Sequence, residues 1–290
     1  MGSFKLSIWL SRSSDPNADS VIALFERLRV ACTCTMAFFG SSSNTGVNAV
    51  QKDIEVADPP SDSISSLSFT CLSQLPDAKS IAFFDTAFHR SVPAHISSYA
   101  INQKIAKQRG LKKYGFHGLS YSFILRSVSR FLKKPAESLN LIVLHLGSGA
   151  SACCIRHGQS LDISMGLTPL NGLPGATRSG AVDPSLIFHC TKAGRMSHDK
   201  GSAVQLHVTQ AEHILNTQAG WKALAGTTDF AAITAQRADD DAARLAFEMF
   251  ADRILNYVGS YHLKLGGAVD VLVFSGEIGE RSKELRALIG

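Results

Sequence analysis

Hydrophobic and polar positions follow regular patterns from about residue 79 onward. The segment SIAFFDTAFH, residues 80–89, predicts a buried strand that runs into a turn, with Asp85 at the strand end. Residues 97–109 and 120–133 have helical periodicity, and Pro135 follows the second segment. These elements predict a folded, mixed α/β region.

Two apolar runs, residues 141–146 and 150–155, are joined by glycine-containing residues 147–149, which predicts a β-hairpin. Residues 241–265 predict the longest helix, with apolar positions from Leu245 to Leu265 recurring every three to five residues. A strand over 269–274 and a second glycine turn over 276–279 follow. Helices that alternate with strands and hairpins are typical of α/β architecture.

The first eighty residues have little sustained periodicity. Residues 11–20 and 40–49 are rich in serine and predict loops or disorder, whereas residues 21–30 predict a short helix capped by Asp19 or Ser20. The chain has 290 residues, which is enough for one large or two ordinary domains.

Composition narrows the functional classes. The net charge is +5 and the basic residues are scattered, so we expect no nucleic-acid binding. No apolar run reaches the ~20 residues of a membrane span, and no signal peptide is evident. None of the six cysteines has zinc-site spacing. We therefore expect a soluble cytoplasmic protein with reduced thiols, in which Cys153 and Cys154 are small buried side chains.

Two short motifs contain candidate polar residues. Asp85 could orient a metal-bound phosphate or accept a proton, although a carboxylate in this position also commonly caps a turn. His117, between Phe116 and Gly118 in YGFHG, could donate to a developing negative charge. A histidine in the core is the alternative interpretation of His117.

Two glycine-rich segments are candidates for phosphate recognition. In VLHLGSGAS, residues 143–151, the backbone N–H groups of the turn could bind an anion, with His145 and Ser148 as added donors. The segment is not a Walker loop, and an ordinary tight hairpin remains an alternative. Residues 166–184 form a long Pro- and Gly-rich loop with one cation, Arg178, which either neutralises a phosphoryl group or is solvated.

Together these motifs suggest phosphoryl transfer, and they resemble the acetokinase family. FDTAFH, KYGFHG, HLGSGAS, SMGLTPLNGLPGATRSG and DP follow the family's order and spacing across residues 80–184. FSGEIGE, residues 274–280, resembles the family's adenosine turn. The resemblance implies the two-domain actin-like ATPase (ribonuclease H-like) fold and transfer of the γ-phosphoryl group of ATP to acetate, with Mg²⁺.

The resemblance also implies roles for individual residues. Asp85 matches the catalytic acid, and His117 and Arg178 match stabilisers of the transition state. Eleven residues match nucleotide-binding segments: His145, Leu146, Gly147, Ser148, Gly149, Asp229, Phe230, Ala231, Glu277, Ile278 and Gly279. A homodimer is also implied.

Some family features have no match in this chain. They are the opening NAGSSS segment, an HGG segment with a substrate-binding Arg, and a C-terminal portion with a Glu that helps hold Mg²⁺. We therefore expect a truncated N-terminal domain over residues 1–87, a second domain over 88–290 that is incomplete at its C-terminal end, and metal ligands that remain unknown.

We also expect this chain to bind nucleotide weakly or not at all and to have little or no kinase activity. An inactive or wrongly delimited paralogue is one alternative to an active acetate kinase. A propionate or butyrate kinase is another, because one methylene group changes recognition by only ~1–3 kcal/mol.

Overall fold

The computed structural model describes residues 7–10, 37–40, 78–81, 84–190 and 210–290. The chain divides into two compact units. One contains strands β2 (Ala37–Gly40) and β3 (Ala78–Ile81), which pair antiparallel. The other contains every other described element. The predicted helix over 21–30 lies outside the described residues, as do the predicted loops apart from Gly40, and the predicted domain boundary after residue 87 stays a prediction.

A five-stranded sheet forms the centre of the larger unit, in the order β1-β7-β4-β5-β6. Its strands are β1 (Ser7–Leu10), β4 (Leu141–Leu146), β5 (Ala150–Arg156), β6 (Gln159–Ile163) and β7 (Val271–Ser275). The β4–β5 hairpin confirms the prediction. Because β4 and β7 are parallel, with His145 opposite Ser275, the glycine segments that follow them emerge at the same sheet edge.

Side chains of the central strands alternate between two hydrophobic cores. Ile142 and Leu144 face the core that contains the longest helix, whereas Leu141 and Val143 face the core that contains Tyr121 and its helix. Both faces of the sheet are thus covered, which explains why β4 is apolar almost throughout. Cys153 and Cys154 are buried free thiols, one in each core, as predicted.

Ten α-helices lie in the described part of the chain, together with 3₁₀ helices at Ala87–Ser91 and Ala136–Ser138. They are α1 (Ala94–Ser97), α2 (Gln103–Arg109), α3 (Gly118–Leu132), α4 (Leu186–Cys190), α5 (Gln210–Thr217), α6 (Gly220–Ala225), α7 (Phe230–Gln236), α8 (Asp241–Lys264), α9 (Gly276–Arg281) and α10 (Lys283–Ile289). Helix α3 confirms the prediction over 120–133 and begins two residues earlier. Within the described residues, no helix combines the length and the apolar character that a membrane crossing requires.

The predicted helix over 97–109 is wrong, because the chain forms α1 and α2 there, separated by residues 98–102. The Asn102 side chain accepts hydrogen bonds from the N–H groups of Lys104 and Ile105, so a new helix starts at this cap. The predicted turn over 276–279 is also wrong, because those residues form the first turn of α9.

Helix α8 confirms the predicted long helix to within one residue, and predicted positions in its second half, Ile254 and Tyr261, are buried. The buried face differs from the prediction only in the first half. Leu245 is 51% exposed, and the buried positions in the first half include Phe247 and Phe250. These rings pack against Phe230, which fixes the rotation of the helix about its axis. Near the other end, Lys264 forms an ion pair with buried Asp162.

Candidate active site

Asp85 lies in the turn before the first 3₁₀ helix, and its carboxylate caps α3. It accepts a hydrogen bond from the N–H of His117 at 2.5 Å and another from the N–H of Leu119 at 3.2 Å. A Cβ atom at Gly118 would collide with the backbone carbonyl of Asp85, so only glycine permits this approach. The predicted capping role is therefore present, but the capped element is a helix that begins 33 residues later in the chain.

His117 is the residue immediately before α3, and it has a left-handed backbone with φ of 60°. Such a conformation is uncommon for a residue other than glycine and costs on the order of 1 kcal/mol. The hydrogen bond to Asp85 helps to hold it. The imidazole Nδ1 lies 2.8 Å from the Ser151 hydroxyl, which is also hydrogen-bonded to the Tyr121 hydroxyl. Main chain and side chain of His117 are thus fixed independently.

The His145 ring stacks on the ring of His117, with centroids 4.3 Å apart and planes tilted by 34°. His145 projects from β4, and its Nδ1 lies 2.8 Å from the Ser120 hydroxyl on α3. This nitrogen is therefore engaged with the protein, whereas Nε2 of His145 has no hydrogen-bond partner among the described residues and is the nitrogen available to a ligand.

Both imidazoles are neutral at neutral pH. Burial first, and the positive charge of Arg178 second, lower the pKa of His117 to about 4. Burial lowers the pKa of His145 to about 3, and the adjacent His117 contributes in the same direction. A neutral imidazole can still donate one N–H to an anion, so His117 fits the predicted hydrogen-bonding role without carrying charge.

The predicted phosphate turn follows β4 directly. Among the residues that the structure describes, the backbone N–H groups of Gly147, Ser148 and Gly149 have no hydrogen-bond partner. Consecutive free N–H groups form the kind of concavity that binds anions. The carbonyl of Ser148 instead accepts a hydrogen bond from the N–H of Ala176 at 2.9 Å, which ties this turn to the Arg178 loop.

Arg178 lies directly over this turn. A Cβ atom at Gly149 would collide with Nη2 of Arg178, whereas Nη1 lies 3.4 Å from the carbonyl of Pro169. Two hydrogen bonds anchor the loop backbone. The N–H of Trp221 donates to the carbonyl of Gly175, and the N–H of Lys222 donates to the carbonyl of Ala176. Burial lowers the pKa of Arg178, but a guanidinium remains charged at physiological pH. A fixed cation therefore faces the free N–H groups.

The predicted adenosine segment lies beside the phosphate turn. Gly276 has φ of 79°, and a Cβ atom there would lie 2.5 Å from the carbonyl oxygen of Leu146. Ile278 is buried, and a Cβ atom at Gly279 would lie 3.4 Å from the backbone of Phe274. Glu277 points to the exterior and pairs with Arg281 at 2.7 Å. The parallel strands β4 and β7 thus bring together two segments that are about 130 residues apart.

The predicted nucleotide residues at 229–231 have structural roles at the start of α7. Asp229 accepts a hydrogen bond from the N–H of Ala231 at 2.8 Å and so caps the helix. The Phe230 ring is buried against Trp221 and Phe250. In the described part of the chain, no hydrogen bond joins these three residues to the group around Arg178. Their role toward a nucleotide stays a prediction.

Sequence reasoning missed the hydroxyl groups around the histidines. Ser120 and Tyr121 lie three and four residues after His117, which places them one helical turn away. Ser151 is the second residue after the glycine turn. These spacings were the signal that could have identified them.

Comparison with known proteins matches this chain to one family. The model of the acetokinase family matches residues 62–289. A probable acetate kinase of Emericella nidulans is 52% identical over 220 residues, which are 76% of this chain and 52% of that protein. A probable acetate kinase of Neurospora crassa is 53% identical over 234 residues, covering 76% of this chain and 50% of that protein. The chain spans about half the length of these relatives.

Solved structures give the same result for the fold. The crystal structure of Porphyromonas gingivalis acetate kinase matches with a TM-score of 0.75 and 28% identity, covering 88% of this chain and 61% of that chain. A propionate kinase from Francisella tularensis matches with a TM-score of 0.72 and 33% identity, covering 86% of this chain and 62% of that chain. These matches confirm the predicted fold class.

Proposed function

Because the chain belongs to the acetokinase family, we propose that its site serves the ATP-dependent phosphorylation of acetate, giving acetyl phosphate and ADP. The phosphoryl group would move directly between the two substrates. The observation that carries this proposal is the position of Arg178, close to neutral His117 and over a turn whose three N–H groups have no partner in the described part of the chain.

Each of these groups fits a step of direct transfer. In-line phosphoryl transfer requires mainly positioning and stabilisation of the charge on the equatorial oxygens. The turn N–H groups would hold the phosphates of ATP, while Arg178 and His117 would donate hydrogen bonds to the transferring group. Acetate is already a carboxylate at neutral pH, so no strong base is needed. Asp85 would act through metal or water and would also hold His117.

The described residues are compatible with Mg²⁺. They contain no group of three or more His, Cys, Asp or Glu side chains that could form a protein cage for a metal. Mg²⁺ in kinases usually has only one or two carboxylate ligands and takes its other ligands from phosphates and water. Asp85 uses two of its roughly four acceptor sites for backbone N–H groups, which leaves capacity for such a contact. When bound, the ion would neutralise phosphate charge.

The similarity to a propionate kinase makes propionate the second candidate acceptor. The expected cytoplasmic location, the homodimer and the absence of nucleic-acid or membrane partners are part of the same proposal. The low turnover expected from the sequence and the alternative of an inactive paralogue are tested by the assay below.

The experiment is the hydroxamate assay for acetyl phosphate, with ATP, Mg²⁺ and either acetate, propionate or butyrate. We expect acetate to give the highest kcat/KM and the Arg178→Ala variant to lower the rate by ~10²–10³. The matched control is Arg156→Ala, which removes an exposed arginine at the end of β5 and should leave the rate unchanged.

Two outcomes would contradict the proposal. One is an acyl phosphate rate that Arg178→Ala leaves unchanged. The other is the absence of both product formation and nucleotide binding by calorimetry in the full chain, which would favour the inactive paralogue.

A further inference from the structure

A chain of three polar groups runs from the core to His117. The Tyr121 hydroxyl is hydrogen-bonded to the Ser151 hydroxyl, and this hydroxyl lies 2.8 Å from Nδ1 of His117. Tyr121 and Ser151 both have no exposed surface. Water therefore cannot satisfy these hydroxyl groups from the bulk solvent, and the direction of each hydrogen bond is decided inside the protein.

The number of available protons selects one arrangement. Within the described residues, Ser151 is the only hydrogen-bond partner of the Tyr121 hydroxyl. If Nδ1 of His117 donated to Ser151, three protons would share two hydrogen bonds, so one hydroxyl proton, that of Ser151 or that of Tyr121, would be left unpaired. An unpaired buried donor costs about 1–3 kcal/mol. The satisfied arrangement has Tyr121 donating to Ser151 and Ser151 donating to Nδ1.

We propose that Tyr121 and Ser151 are positioning residues that keep the single proton of His117 on Nε2. The inference rests on the proposed function, because it names the residues that prepare His117 for that reaction. In the described part of the chain, Nε2 has no hydrogen-bond partner, so it is the nitrogen left for a ligand. The Nε2–H tautomer presents a donor to a phosphoryl oxygen, whereas the other tautomer would present a lone pair to an anion.

The tautomer can be measured directly on the full chain without any turnover. Two-bond ¹H–¹⁵N correlation spectra of the ¹⁵N-histidine-labelled protein distinguish a protonated from an unprotonated ring nitrogen, and the His117→Gln variant assigns the signals. In the unsubstituted protein we expect an unprotonated Nδ1 and a protonated Nε2. In Tyr121→Phe and Ser151→Ala we expect the two nitrogen shifts to move toward each other as both tautomers become populated.

Ser160→Ala is a matched control for these variants. Ser160 is a buried serine on β6 whose hydroxyl lies 2.8 Å from Nδ1 of His89, outside the site. Its loss should move the signals of His89 and leave those of His117 in place. If Ser151→Ala does not fold, Tyr121→Phe decides the question, because it removes one hydroxyl from an otherwise unchanged ring.

Kinetics add a second measurement. We expect kcat for acetyl phosphate formation to fall roughly twofold in Tyr121→Phe, because the fraction of the chain with the Nε2–H tautomer falls toward about one half, with KM for ATP and acetate unchanged. Ser160→Ala should retain kcat. Protonated Nδ1 in the unsubstituted protein, or an unchanged Nε2–H tautomer in both variants, would overturn the proposal. If the chain has no kinase activity, the proposed function fails while the spectra still decide the tautomer.

Discussion

Acidification should destabilise this fold through two buried imidazoles, His117 and His145. Both are neutral in the folded chain because burial opposes their protonation, whereas in the unfolded chain each has the ordinary histidine pKa. As the pH falls below that ordinary value, the unfolded chain takes up protons that the folded chain does not. Their contribution is therefore constant above the ordinary pKa and becomes increasingly unfavourable as the pH falls toward the lowered values.

The lowered pKa of His117 sets the size of the effect. With a pKa of 6.5 unfolded and about 4 folded, this residue reduces the free energy of unfolding by about 2 kcal/mol between roughly pH 7.5 and about pH 5. The pKa of about 3 for His145 gives a second loss of about 2 kcal/mol over the same interval. A domain with ~5–15 kcal/mol of total stability would feel such a change clearly.

Urea denaturation at both pH values measures this loss. In His117→Gln we expect the difference between the two pH values to shrink by about 2 kcal/mol, because the substituted side chain binds no proton. His95→Gln, which replaces an exposed histidine on α1, controls for histidine removal and should leave the difference unchanged. A pH-dependent loss as large in His117→Gln as in the unsubstituted chain would refute the reasoning.

Two further substitutions test the site and the fold. Gly149→Ala should push the flexible end of Arg178 off the turn and lower the rate of acetyl phosphate formation by ~10², with little change in Tm. The control Gly259→Ala places a methyl group in open space on helix α8, so it should raise Tm and keep the rate. An unchanged rate in Gly149→Ala would contradict the placement of Arg178. Asp162→Asn should lower the free energy of unfolding, measured by urea denaturation, by about 3 kcal/mol, because it leaves the ammonium groups of Lys113 and Lys264 without a counter-charge. The exposed control Asp252→Asn should lower it by less than about 1 kcal/mol. Equal losses in the two variants would contradict this account.

Local patterns predicted the elements whose conformation depends on near neighbours. The β4–β5 hairpin follows from two apolar runs around glycines, and α8 follows from its length and its apolar periodicity. The family resemblance also came from contiguous motifs, and the family match over residues 62–289 confirms it. In each case the decisive information lies within one segment of the sequence.

Tertiary contacts decided the features that were predicted wrongly or missed. Leu245 is exposed because the rings of Phe247 and Phe250 pack on Phe230 instead. Apolar periodicity alone does not decide which of these two helix faces is buried. The bonds from Ser151 to Tyr121 and His117 join residues 30 and 34 positions apart. Such contacts depend on how α3 lies on the sheet, and one sequence alone does not specify that.

The sheet topology, more than any single motif, explains how the site is assembled. The segments at 147–149 and 276–279 are neighbours only because β4 and β7 run parallel and end at the same edge. The third segment, with Arg178, joins them through the bond between Ala176 and the carbonyl of Ser148. Because this carbonyl is engaged by the loop while the turn's N–H groups stay free, the contact that positions the cation leaves the anion-binding donors available. This backbone bond therefore helps to hold Arg178 against the turn it is proposed to serve.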